Sequence, residues 1–181
     1  MTDDRELDRT LIEAVARHRD EAAFRRLYRR HTPRLYLVAL RLVGGDEMDA
    51  EDVVQESWLR AVRQLTAFRW DAAFATWLIA IGINVARETL RKRGPAAVED
   101  GFPEPASPLP AHEGHLDLER AIARLPEGYR AVLVLHDLEG WTHGAIGERL
   151  GISAGTSKSQ LFAARRAMRA LIDPPGGSHE G

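Results

Sequence analysis

Residues 142–172 read THGAIGERLGISAGTSKSQLFAARRAMRALI. Two stretches of helical character, Thr142–Leu150 and Ala154–Ile172, meet at a tight turn, Gly151-Ile152-Ser153. Gly151 suits the left-handed residue that closes a helix, and Ser153 suits an N-cap. Ile146, Leu150, Ile152 and Leu161 are spaced to form a shared core. The pattern is a helix-turn-helix, whose second helix typically enters the DNA major groove. That helix opens Ser153-Ala154-Gly155-Thr156-Ser157-Lys158-Ser159-Gln160, a cluster of small donors and acceptors. Such residues approach phosphates and base edges closely, and the helix N-terminus itself favours a phosphate. Arg165, Arg166 and Arg169 add backbone-neutralising charge further along.

Upstream, Leu116, Leu118, Ile122 and Leu125 predict a short helix ending at Pro126-Glu127-Gly128, followed by an apolar segment from Tyr129 to Leu138. Before it lies a different kind of sequence. Five of the nine prolines fall between residues 94 and 112, among Glu99, Asp100 and Glu104 and without apolar periodicity. Residues 94–115 therefore read as an extended acidic linker. It divides the 181-residue chain into an N-terminal unit, 1–93, and a C-terminal unit, 116–172, with a frayed tail at 173–181.

The N-terminal unit also reads as helical. Phe24, Leu27, Tyr28, His31, Leu35, Val38, Ala39 and Leu42 recur at helical steps, with Pro33 expected to kink or restart the helix. After Gly44-Gly45-Asp46, a second helix is expected to bury Val54, Trp58, Ala61, Val62 and Leu65. A loop, Phe68-Arg69-Trp70-Asp71, leads to a third, with Phe74, Trp77, Leu78, Ile81 and Val85 inward. Aromatics beside Asn84, Arg87, Arg91, Lys92 and Arg93 are what single-stranded nucleic acid uses, because bases stack while phosphates pair with arginine. Phe74 and Trp77 are read as core; Trp70, outside the stripe, is expected to face solvent and stack a base.

The net charge of −2 hides segregation. Residues 20–43 sum to +4, 44–56 to −6, 87–93 to +3, 94–119 to −6 and 155–172 to +4. Alternating blocks suit several partners of different sign. The acidic block around Asp49-Ala50-Glu51-Asp52-Val53-Val54-Gln55-Glu56 has no lysine partner one turn away, leaving it available to a basic or helical protein.

Other classes are disfavoured. No apolar run reaches the ~20 residues of a membrane span, and the charged N-terminus lacks a signal-peptide core, so no membrane insertion is expected. With no cysteine there is no disulfide, thiol nucleophile or thiolate metal site. His112-Glu113-Gly114-His115 matches no zinc spacing, His136 and Asp137 are adjacent and so point apart, and no phosphate-cradling glycine loop occurs. No catalytic residue, metal or cofactor is expected, and the protein is read as not an enzyme.

In combination, four stretches resemble a known family. They are Asp49–Glu56, Phe74-Ala75-Thr76-Trp77-Leu78, Leu125-Pro126-Glu127 and Leu150-Gly151-Ile152-Ser153-Ala154-Gly155-Thr156. In this order and spacing the chain is similar to the extracytoplasmic-function (group 4) sigma factors, of the sigma-70 family of bacterial RNA polymerase. The resemblance covers about residues 20–93 and 116–172. It implies an all-α protein of two small helical domains, a region 2 bundle and a region 4 helix-turn-helix, joined by the acidic linker. It further implies a cytoplasmic factor that binds core RNA polymerase and directs promoter-specific initiation, reading the −10 and −35 elements and assisting −10 melting.

Roles follow from the resemblance, position by position. Asp49, Glu51, Asp52, Gln55 and Glu56 lie on the surface that docks on core polymerase. Phe68, Arg69, Trp70 and Asp71 form the loop that captures a flipped −10 base, and Asn84, Arg87 and Arg91 lie where the melted strand passes. Thr156, Lys158, Ser159, Gln160, Phe162, Arg165 and Arg166 belong to the helix that reads the −35 duplex. The linker threads toward the polymerase's RNA path, and an anti-sigma factor is an expected partner. Four positions depart from the common pattern. Ser157 replaces an apolar residue and Gly147 an alanine, each expected to loosen packing by ~1 kcal/mol. Gln160 stands for a common arginine, and Trp70 for a small residue. The rival readings are a polymerase-independent helix-turn-helix regulator, which needs no acidic docking face, and an inactive adaptor that binds polymerase without driving transcription.

Overall fold

The computed structural model describes residues 2–94 and 114–172; among the described residues every regular element is helical and no strand occurs. The chain separates into two compact units. One comprises the chain up to Leu40 together with Glu47–Leu90; the other comprises Arg41–Asp46 and the chain from Arg91 onward. The expected linker, 94–115, and the tail, 173–181, lie almost wholly outside the described residues.

The first unit is built on four helices: α1 (Thr2–His18), α2 (Glu21–Leu42), α3 (Glu47–Gln64) and α4 (Phe74–Lys92). The charged sequence of helix α1 carries little helical signal, yet the helix buries Leu11 and Ile12. It is also fixed by a buried polar contact: Asp8 Oδ1 accepts from Arg30 Nε and lies against His31 Nε2, both at 3.0 Å. Asp20 caps α2, its carboxylate accepting the backbone N–H groups of Ala22 and Ala23. Pro33 does not restart the helix, since α2 runs unbroken from Glu21 to Leu42. Leu27, Leu35 and Val38 are buried on both sides of the proline, and that tertiary packing holds the helix through the lost backbone hydrogen bond.

Trp58 ties α3 to α2, meeting Phe24 edge-on at 5.7 Å and donating Nε1–H to Thr32 Oγ1 at 3.0 Å. Phe74 anchors α4, with His31 at 5.0 Å and Trp58 at 6.1 Å between ring centroids. A Cβ at Gly82 would sit 2.8 Å from Leu35 Cδ1, so glycine permits α4 to approach α2 closely. Helix α3 ends in a 3-10 turn, Leu65–Ala67, from which the 68–73 loop departs.

The second unit carries α5 (Gly114–Arg124), α6 (Glu127–Leu133), α7 (His143–Leu150) and α8 (Ala154–Ile172). Helix α6 continues as a π-wound turn, Val134–Leu138, that delivers His136 and Asp137. Helix α8 packs on α5, α6 and α7 around Ile122, Val132, Leu135, Ile146, Leu161 and Ala164. Leu150 and Ile152 are half-buried at its margin. Arg130 is buried here and donates to the carbonyls of Ala123 and Leu125 at 3.1 Å. Burial pushes its guanidinium below the usual arginine range.

Candidate nucleic-acid interface

On α3, Met48, Asp52, Gln55, Leu59 and Val62 follow one another at steps of four, three, four and three residues, and all are exposed. That spacing lines them along one helix face. Val62 was expected inside; it is 45% exposed, and Ala61 and Leu65 complete the buried stripe instead. Met48, 74% exposed, and Leu59 give this face an apolar component that charge patterning alone did not single out. Their heptad-like spacing with Asp52 and Gln55 was the available signal. Glu51 is exposed beside them, whereas Asp49 is half-buried in the first turn.

Glu56 is engaged internally. Its Oε1 accepts from Arg60 Nε at 2.7 Å, and Arg60 also donates to both carboxylate oxygens of Glu88 on α4. Glu88 first, then Glu56, hold the Arg60 guanidinium above its ordinary range.

The 68–73 loop is an aromatic cluster. Phe68 lies 4.8 Å from Trp70 and 4.9 Å from Trp77, and Trp77 lies 5.6 Å from Phe74. Phe74 is core as expected, while Trp77 is half-buried. Trp70 does not stand free in solvent: it is half-buried with a left-handed backbone, φ 63°. Its carbonyl accepts from Arg5 Nη2 at 2.6 Å, and the Arg9 guanidinium lies over its ring, 5.4 Å from the centroid. Arg69 and Asp71 on either side are exposed. Beyond the loop, Trp77, Asn84 and Arg91 recur every seven residues along α4, with Arg87 between the last two. They trace one face for about 21 Å from the aromatic cluster to the basic end of the helix. Asn84 and Arg91 are exposed and Arg87 is half-buried.

In the second unit the turn is capped as its sequence predicts. Thr142 Oγ1 accepts from Ala145 N at 3.2 Å, Gly151 is left-handed at φ 73°, and Ser153 Oγ accepts from Thr156 N at 2.9 Å. A Cβ at Gly147 would lie 2.6 Å from the carbonyl oxygen of Ile152. Glycine is therefore what lets α7 close against the turn, and the expected loosening at this position is corrected. Ser157 is also compensated: it is fully buried, and its hydroxyl shares a 2.9 Å hydrogen bond with His143 Nδ1.

Thr156, Lys158, Ser159, Phe162, Arg165 and Arg166 are exposed along α8, Phe162 by 65%. Gln160 departs from that group. It is half-buried beside Gly128, with Oε1 shielded and without a hydrogen-bond partner among the described residues. Arg165 is spoken for by Asp137, which accepts from its Nε and Nη2 at 2.9 and 2.6 Å. That pairing, ahead of His136, holds the Asp137 carboxyl below the usual carboxylate range. His136 and Asp137 do not point apart: Nδ1 and Oδ1 are 2.8 Å apart. The His136 ring stacks on His143 at 4.5 Å. Desolvation, then the positive neighbours His136, Lys158 and Arg165, push the His143 imidazole below the ordinary histidine range.

No group of three or more potential metal ligands occurs among the described residues, and no helix there is long and apolar enough to cross a membrane.

Residues 27–95 match the family described as Sigma-70 region 2, and residues 115–168 that described as Sigma-70, region 4. A Mycobacterium tuberculosis protein named ECF RNA polymerase sigma factor SigM is 35% identical over 170 residues, covering 91% of this chain and 86% of its own. The RNA polymerase sigma-H factor of Pseudomonas aeruginosa is 31% identical over 93% of this chain and 95% of its own. Among solved structures, the sigma factor RpoE of Bartonella quintana, in complex with the anti-sigma factor NepR, aligns with a TM-score of 0.62 at 25% identity. That alignment covers 82% of this chain and 95% of that one. CnrH in complex with the cytosolic domain of CnrY aligns at 0.59 and 27% identity, over 91% and 96%.

Proposed function

The chain belongs to the sigma-70 family, in its extracytoplasmic-function branch, and we propose that three of its exposed surfaces divide the work of promoter recognition. It is a sigma factor: it binds core RNA polymerase and directs promoter-specific initiation. The chemistry of RNA synthesis belongs to the polymerase, and this chain acts by binding, in the cytoplasm where the polymerase works. Region 2 work is assigned to residues 1–93 and region 4 work to 116–172.

In this reading the α3 stripe of Met48, Asp52, Gln55, Leu59 and Val62, with Glu51 beside it, docks on core polymerase. Acidic side chains steer and orient the encounter while the apolar ones are buried at contact. Asp49 and Glu56 support that face from within. The Phe68–Asp71 loop captures an unpaired −10 base, and Asn84, Arg87 and Arg91 carry the melted strand along α4. Thr156, Lys158, Ser159 and Phe162 face the −35 groove, with Arg166 on phosphate and Arg165 joining once Asp137 lets it go. Gln160 supports α8 from behind. Because a solved relative, RpoE of Bartonella quintana, is in complex with the anti-sigma factor NepR, a protein of that kind is assigned as this chain's regulator.

The exposed acidic-apolar stripe on α3 carries this reading. A stand-alone regulator needs the helix-turn-helix but gives no reason for Met48, Leu59 and Val62 to lie in water beside carboxylates. Transcription in vitro with core polymerase on a genomic fragment library tests it. Start sites that share two spaced elements and depend on this protein are expected. Tight duplex binding without polymerase, and no dependent transcript, favours the stand-alone regulator.

A further inference from the structure

We propose that Arg5 and Arg9 of α1 are positioning residues for the 68–73 loop, holding Trp70 in a left-handed backbone and its ring in place for an unpaired base. This rests on the reading of that loop as the base-capturing one.

The backbone supplies the first observation. Trp70 has φ 63°, a region that a bulky side chain rarely enters because its Cβ crowds the following carbonyl. Such a residue persists only where its surroundings over-determine it. The hydrogen bond to its carbonyl and the cation over its ring both come from α1, more than sixty residues earlier in the chain. Arg5 Nη2 donates to the Trp70 carbonyl at 2.6 Å, fixing the orientation of the peptide that the unusual φ has turned. One helical turn on, Arg9 sets its guanidinium over the indole, 5.4 Å from the ring centroid. Residues four apart share a helix face, so both cations reach the same target from one rigid rail.

The rail itself is anchored. Asp8, next to Arg9, is buried and engaged by Arg30 and His31 of α2, and Leu11 and Ile12 are packed in the core. Arg5 and Arg9 are exposed and contribute little to that packing. Their contacts run instead to a loop that ordinary folding requirements leave adjustable. Phe68 supports the indole from another side at 4.8 Å, so the ring is braced between an aromatic and a cation. A pre-set ring captures a base without first having to be ordered, which is where α1 adds to promoter opening.

The test uses the full chain, first alone and then with core polymerase. Hydrogen–deuterium exchange across residues 68–73 should accelerate several-fold in Arg5→Ala and Arg9→Ala, with exchange in α2 and α3 unchanged. With polymerase, Arg5→Ala should bind core normally but lower promoter opening, read by permanganate, roughly tenfold, the scale of one lost base stack. Trp70→Gly should also lower opening, and adding Arg5→Ala to it should lower it no further, because glycine has neither ring nor left-handed penalty to manage. Multiplying losses in the double variant would mean that Arg5 works directly on DNA, and would overturn the proposal. Normal opening and unchanged loop exchange in Arg5→Ala, with Trp70→Gly impaired, would overturn the proposal and leave the base-capture reading standing. Normal opening by Trp70→Gly would overturn both.

Discussion

Arg60 of α3 and Glu88 of α4 are joined by two parallel hydrogen bonds, Nη1 to Oε1 at 2.9 Å and Nη2 to Oε2 at 2.7 Å. The pair ties the helix assigned to polymerase docking to the helix assigned to the melted strand. Both side chains are about one-third exposed, so solvent screens much of the attraction and geometry supplies the rest.

Arg60→Ala should therefore destabilise the protein by about 1 kcal/mol, the upper range for a partly exposed pair. For a unit of this size that lowers Tm by roughly 4–8 °C. A double-mutant cycle with Glu88→Gln, followed by thermal melting, should show the two losses to be less than additive. Full additivity would mean that the pair contributes nothing as a pair.

Gly147→Ala opposes two effects of known size. Alanine gains ~1 kcal/mol in helix propensity over glycine. Its Cβ, however, would meet the Ile152 carbonyl oxygen at 2.6 Å, and a backbone atom in a capped turn has little room to yield. Overpacking of that kind costs about 1–3 kcal/mol, so net destabilisation is expected in urea unfolding of the full chain. A stabilised variant would show that the turn relaxes freely.

Much of this was legible in sequence, for identifiable reasons. The helix-turn-helix announced itself because Gly151 and Ser153 are local signals whose conformations depend on few distant contacts. Pro33 does not restart its helix because the packing of Leu27, Leu35 and Val38 outweighs a local penalty. Helix α1 is hidden by a charged sequence whose apolar residues, Leu11 and Ile12, acquire meaning only once the tertiary core buries them. Val62 lies at the drifting edge of a 3.6-residue stripe, where one position decides between core and exposed face. The geometry of Trp70 was not legible at all, because its determinants, Arg5 and Arg9, lie on α1. Gln160 and Arg165 are DNA-ligand candidates by position, and only the fold shows that one lies beside Gly128 and the other is paired with Asp137.

Acid should weaken the second unit through His143. Its folded pKa lies below the ordinary histidine value of about 6.5. The stability of the neutral form is thus fully present above that value and is lost as pH falls through it toward the depressed folded pKa. His136, Lys158 and Arg165 oppose protonation, and Asp137 alone favours it. Proton NMR of the His143 ring should give a midpoint below 6.5, and His143→Gln should flatten the loss of stability as pH falls below about 6.5. A midpoint at or above the ordinary value would contradict this.

Asp137→Asn should release Arg165 toward DNA. Duplex binding at the −35 element by holoenzyme should then gain up to about 0.9 in salt slope, the value of one added phosphate contact. An unchanged slope would show that Arg165 already reaches phosphate with Asp137 in place.

Equilibrium binding of core polymerase to the full-length Asp52→Lys, Leu59→Asp variant tests the account most directly. Both positions are exposed on the α3 stripe and outside the Arg60 bridge, so the fold should be retained. Each change replaces a complementary contact with a repulsive or desolvated charge, a loss of several kcal/mol at a docking site. Affinity for core polymerase should fall at least about 100-fold, with helicity and Tm near those of the parent protein. Parental affinity in the folded variant would contradict the assignment of α3 as the docking face.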